Sequence, residues 1–275
     1  MIKIIILFTL SFLSPIVFGS AKVCLVDNEI EIKSNLIFYG SKADRSIAQK
    51  CAFEISKMFN SPQSKVKIGG KEFKVKFKIS YQVESEKNVF KSVNINQRVE
   101  NNYIRIEDEA YNNDWKRSNQ VLSGNTGFFS TKDGLGDSTT CAHEYAHGLG
   151  LDHYDERGIE FSKNLRGDGQ PGIMASRGYL VDPQFQYDPN ARAGQAGGTL
   201  NPALRKVIPQ DIVDLQLDRL NFNPYNGCSQ LGKVSGFAYT KDGESKSGNS
   251  WYLFDAFDHL ISSIRGNESQ PTTCN

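Results

Sequence analysis

The stretch CAHEYAHGLGLDHY, residues 141–154, holds three of the four histidines in the chain. On a helix, His143 and His147 stand at i and i+4, so both imidazoles project from one face, one turn apart. That spacing lets two nitrogens reach one zinc ion at about 2.0–2.1 Å each. Glu144 points to the flank of the same face, where it can reach a water on the metal rather than the metal itself. An unbroken helix would carry position 153 off the site. A turn at Gly148-Leu149-Gly150 instead presents His153 as the third ligand. Three neutral ligands leave the fourth zinc position open for water, as a catalytic site needs. Zinc lowers the pKa of that water to about 7, and Glu144 can accept its proton and hand it to a leaving amine. The residue types and their spacing therefore specify peptide or amide hydrolysis. The remaining histidine, His259 in DAFDHLISS, reads as a surface or packing residue.

HEYAHGLGLDH fits HExxHxxGxxH, the signature of the metzincin zinc peptidases, with His143, Glu144, His147, Gly150 and His153 on the motif. PGIMASRG, residues 171–178, resembles the family's methionine turn, with Met174 as its methionine. The resemblance covers roughly residues 30–222. It implies an α+β fold: a twisted mixed β-sheet with packed helices and a zinc cleft between N- and C-terminal subdomains. It also implies one catalytic zinc and a protein or peptide substrate bound as an extended strand, with TGFFST (residues 126–131) as the pairing edge and residues 175–200 as the pocket wall. Two positions depart from the pattern. Tyr154 follows the third histidine where relatives carry Glu, Asp, Ser or Pro, and Ser176 stands where some carry a tyrosine. Tyr179 is the nearest tyrosine and a candidate to stabilise the oxyanion or line the pocket, with packing in the loop as its other reading. The subgroup stays open.

The elements that must position these residues follow from periodicity. EIEIKSNLIFYG alternates as a strand ending near Gly40. DRSIAQKCAFEISKMFN, residues 44–60, puts Ile47, Cys51, Ile55, Met58 and Phe59 on one helical face, with Asp44 as N-cap. KEFKVKFKISYQV alternates strictly, and SVNINQRV, NYIRIED and TGFFST read as further strands. The histidine helix should begin near Asp137 or Ser138 and stop at Gly148 or Gly150. A long irregular region, 154–207, follows, and a loop of that length is usually functional. IPQDIVDLQLDRLNF reads as an amphipathic helix. Asp168 and its Asp/Asn-rich surroundings read as solvated acids, with calcium binding the alternative.

Composition sets the compartment and the partners. The N-terminus has one early cation, Lys3, then an apolar run to Phe18 and small residues, the pattern of a secretory signal peptide cleaved after Gly19 or Ala21. The run is short for a bilayer span and contains Pro15, so no stable membrane anchor is expected. Domain limits are then 1–21 for the signal peptide, 22–222 for the catalytic domain and 223–275 for a small appendage. A secreted or periplasmic location favours disulfides among Cys24, Cys51, Cys141, Cys228 and Cys274. Cys228–Cys274, closing a hairpin of GFAYT with WYLFDAF, is the expected pair. The whole chain carries net charge +1, and removing Lys3 leaves it near neutral, which gives no reason to expect nucleic acid. A monomer without a full-length prosegment is expected. Two alternatives are kept beside the endopeptidase: a zinc amidase on cell-wall peptides, and a binding protein with a vestigial cleft.

Overall fold

The computed structural model describes residues 20–109, 117–154, 165–192 and 199–247. Strand β1 (Ser20–Val26) and the end of β2 (Glu29–Tyr39) are buried on both faces, while charged and apolar residues alternate in the first half of β2, in β3 (Lys65–Ile68) and in most of β4 (Lys71–Val83), turning one face toward the core. Helix α1 (Arg45–Asn60) follows β2, and Asp44 accepts the N–H of Ile47 as its N-cap. Then come α2 (Glu86–Ser92), β5 (Asn101–Glu107), β6 (Asn119–Gln120), β7 (Thr126–Ser130) and α3 (Thr140–Gly148). After the loop come α4 (Pro209–Val213), β8 (Cys228–Gly232), β9 (Ala238–Tyr239) and β10 (Ser245–Lys246). The fold is α+β, built on a mixed sheet in the order β3-β4-β2-β5-β7-β6.

Strand β2 pairs in parallel with β4 on one side and β5 on the other, and β5 pairs in parallel with β7. The edges β3 and β6 run antiparallel to their neighbours. Helix α1 crosses the inner face, where Cys51, Ile55 and Phe59 pack with Phe73, Val75 and Phe77 of β4. Phe59 also meets Tyr145 of α3 edge-on, with ring centroids 5.3 Å apart. The histidine helix is thus seated on the same layer as α1.

Several expectations are corrected. SVNINQRV, residues 92–99, is not a strand: Ser92 ends α2 and the rest is turn and irregular chain, with Val93 packing beside Val89 and Phe90 of α2 against Ile37, Tyr39 and Tyr103. IPQDIVDLQLDRLNF is not one helix. Leu215 and Leu217 are two residues apart and would face opposite sides of a straight helix. Gln216 adopts a left-handed conformation (φ 49°) between α4 and a 3-10 turn at Leu217–Arg219, and both leucines become buried. TGFFST is not the sheet edge, because β6 pairs with its outer side and all five residues of β7 are buried.

The cysteine pairing also differs. Cys228 bonds Cys24, not Cys274, because β8 pairs antiparallel with β1 and places the two residues directly opposite, with Cα atoms 4.0 Å apart. Cys51 bonds Cys141 and joins α1 to α3. GFAYT pairs through β9 with β10, and the hairpin docks where the Tyr39 hydroxyl and Arg105 donate to the carbonyl of Tyr239. WYLFDAF, His259 and Cys274 lie outside the described residues, as do residues 1–19. Among the described residues no helix is long and apolar enough to cross a membrane.

Candidate metal centre

Helix α3 supplies His143, Glu144 and His147, all buried. Its start lacks the usual local cap: Thr139 is left-handed (φ 63°) and its side chain caps nothing in α3. The cap comes from α1, where Glu54 Oε1 accepts the Ala142 N–H at 2.9 Å. Glu54 stands one turn from Cys51, so the disulfide and the carboxylate fix the same helix end. The sequence signal for this role is an acid among the buried residues of an amphipathic helix. Burial raises the Glu54 carboxyl to about 7, against the pull of the Ala142 N–H and the Arg205 guanidinium.

The end of α3 is a Schellman turn: Gly150 N–H donates to His147 O at 2.8 Å and Leu151 N–H to Ala146 O at 3.0 Å. Gly150 adopts φ 96°, a conformation that side chains rarely take. The reversal brings His153 back to α3 and sets the Leu151 carbonyl 2.8 Å from His147 Nδ1. His143 Nδ1 lies 2.7 Å from the Ile173 carbonyl, next to the fully buried Met174 in the turn 172–175. A carbonyl only accepts, so both Nδ1 atoms carry the proton and both Nε2 atoms keep a free lone pair. Arg205 Nη1, 2.8 Å from His143 Nδ1, therefore cannot donate there, and it donates to the Ala175 carbonyl at 3.2 Å.

The three histidines converge. Their ligand nitrogens lie within 4.8 Å of one another, and each residue is 6% or 7% exposed. His153 Nε2 and His143 Nε2 are 3.4 Å apart. Two nitrogens bound tetrahedrally at about 2.0–2.1 Å from one ion would stand about 3.3–3.4 Å apart. His147 Nε2 and Glu144 Oε2 are buried without a hydrogen-bond partner among the described residues. Lone pairs packed this closely in a buried site repel unless a cation lies between them, so the donor set fits a metal ion. Burial, with His153 beside it, holds His147 down to about 3, and burial holds His143 well below its ordinary value. Both stay neutral, as ligands must.

Glu144 lies beside this cluster and accepts the backbone N–H of Gln120 in β6. Burial pushes its carboxyl up to about 8, opposed by the nearby Arg205 cation. Arg205 is itself buried, held by Thr139 Oγ1 at 3.2 Å and the Ala175 carbonyl, and burial lowers it to about 10. No spacing rule points to Arg205 or Gln120, since they come from distant segments. Tyr154, after the third ligand, donates to the fully buried Asp211 of α4 at 3.3 Å. Its hydroxyl lies so close to Gly172 that a Cβ there would sit 1.8 Å away. The residue after the third ligand thus packs directly on the methionine-bearing turn.

Tyr179 is 2% exposed and packs in the main hydrophobic cluster. Its backbone joins that loop to itself, with its N–H donating to Ser176 and its carbonyl accepting from Leu200. Asp168 is exposed in a turn. Among the described residues, only the three histidines form a group of three or more metal-ligating side chains. Compared with protein-family models and with curated proteins, the chain matches none.

Proposed function

We propose that the chain is a secreted metzincin-like zinc endopeptidase. The observation that carries this reading is the convergence of His143, His147 and His153, with the Nδ1 protons of His143 and His147 committed to carbonyls, beside the unpartnered buried carboxyl oxygen of Glu144. Three histidines with one open position suit zinc in a catalytic setting. When bound, zinc supplies a Lewis acid that acidifies water and polarises the scissile carbonyl.

The chain's own residues do the rest. A bound zinc's charge would favour the ionised form of Glu144 over the protonated form that burial alone favours; as the carboxylate, Glu144 would take the proton of the attacking water on its free oxygen and return it to the departing amine nitrogen. The Gln120 N–H in β6 favours the ionised form of Glu144. Edge strand β6 therefore serves both the base and the substrate: it runs beside Glu144, and its outer side suits an extended peptide by strand addition. Met174 and the carbonyl of Ile173 form the floor that orients His143. The loop after Met174 supplies the pocket wall, with Tyr179 the candidate there for oxyanion stabilisation. The two disulfides agree with an oxidising compartment.

The test is Glu144→Ala, with zinc content and casein hydrolysis both measured. Zinc retained near one per chain, with hydrolysis down by about 10²–10⁴-fold, is the expected result. Undiminished hydrolysis sinks the reading.

A further inference from the structure

The large sheet has a second face, turned away from α1 and α3. Its composition follows from register. Pairing aligns Lys65 with Lys74, Lys74 with Glu29, Lys76 with Glu31, and Lys78 with Lys33, which in turn faces Lys22 of β1. Lys67 faces Glu72 at the β3 edge. Their neighbours of opposite parity, such as Phe73, Val75 and Phe77, are buried under α1. One flat face therefore collects seven lysines against three glutamates, in a chain whose net charge is only +1.

The acids do not neutralise it. Glu31 pairs with Lys33 at 2.7 Å and Lys78 at 3.8 Å, and Glu72 pairs with Lys65 at 2.8 Å. Among the described residues Lys22, Lys74 and Lys76 form no ion pair. The lysine rows are about 4.7–4.9 Å apart across strands, and lysines repeat about every 6.6–6.8 Å along one. At the Lys22 end the face borders a groove of 530 Å³, where Asn35 and Ser80 join Lys22, Lys33 and Lys78, and where Arg98 is paired with Glu100 at 2.9 Å.

We propose that this face binds a linear acidic polysaccharide, sulfated or uronic. A regular grid of point charges suits a polymer read through its anionic groups. The aromatic side chains on this side, Tyr39 and Tyr103, are buried beneath α2, so the exposed lysine area offers no stacking platform for nucleobases. The apolar side chain at its margin, Val26, is 38% exposed and too small an anchor for a lipid surface. Helix α3, which carries His143 and His147, lies with α1 on the other side of the sheet, so the surface and the histidine cluster can be occupied together. The proposal does not depend on the catalytic reading.

The experiment measures binding of the full chain to heparin as the probe at 0.1 M salt. It compares the wild type with Lys74→Gln/Lys76→Gln/Lys78→Gln and with a control, Lys57→Gln/Lys87→Gln/Lys91→Gln, which removes the same charge from exposed helix positions. The expected result is heparin binding that weakens on the order of tenfold or more in the sheet variant and about twofold or less in the control. Absence of binding by the wild type, or equal losses in both variants, overturns the proposal. Stronger lysine-dependent binding to a single-stranded oligonucleotide or to phosphatidylserine vesicles overturns the polysaccharide assignment.

Discussion

The ring nitrogens of His143 and His147 have an assignable state because carbonyl oxygens leave no choice. Ile173 and Leu151 take the Nδ1 protons of His143 and His147, and the Nε2 lone pairs are left facing inward. Glu54 is the residue whose titration the fold most clearly exposes to measurement. Its ordinary value is 4.5, and burial raises it to about 7. Between those values the folded chain holds a proton that the unfolded chain has lost. Its contribution to stability is therefore full below about pH 4.5 and lost as pH rises through 7, by at most about 3 kcal/mol. Glu54→Gln keeps a carbonyl for the Ala142 N–H and removes the titration. Denaturant unfolding should show a flatter stability profile between pH 4.5 and 7 for this variant than for the wild type. Identical profiles would show that Glu54 is ionised in the fold.

At the scale of elements, the histidine helix is short and depends on its neighbours. Nine residues make little helix alone, so the α1 staple and the Schellman turn must hold both ends. Replacing Cys51 and Cys141 together with serine should lower unfolding stability by about 2–4 kcal/mol. Zinc affinity should fall with it, because the ligand-bearing helix loses its tether; a variant with unchanged stability and zinc affinity would contradict this. Much of this was legible in the sequence. Asp44, the apolar face of α1, the limits of β4 and the stop at Gly150 each follow from strong local rules. What was not legible depends on distant pairing. TGFFST reads as an edge until Asn119 and Gln120 are seen beside it. A buried Glu54 looks like an ordinary helix acid until the uncapped end of α3 meets it. The 208–222 helix failed because two leucines demanded burial at a spacing no helix serves.

For the molecule as a whole, β1 closes the chain on itself: it pairs with β2 and with β8 from the far end, and Cys24–Cys228 locks that pairing. Ser20 is fully buried, and its carbonyl accepts from Ser34 at 3.2 Å and Asn102 at 3.0 Å. A chain beginning at Ser20 should therefore melt several degrees above one beginning at Lys22. Equal melting temperatures would remove that argument. The periodicity of β1 is visible in AKVCLV, but its partner at residues 228–232 has no local pattern that would reveal the pairing. In the proposed function, His143, His147 and His153 hold a single zinc that works with Glu144 on peptide bonds. Its most direct test is zinc titration into chelator-stripped protein while cleavage of a fluorogenic peptide is followed. The prediction is no cleavage without metal and recovery that saturates at one zinc per chain. Cleavage that persists in the stripped protein, or that recovers equally in His147→Ala, would contradict it.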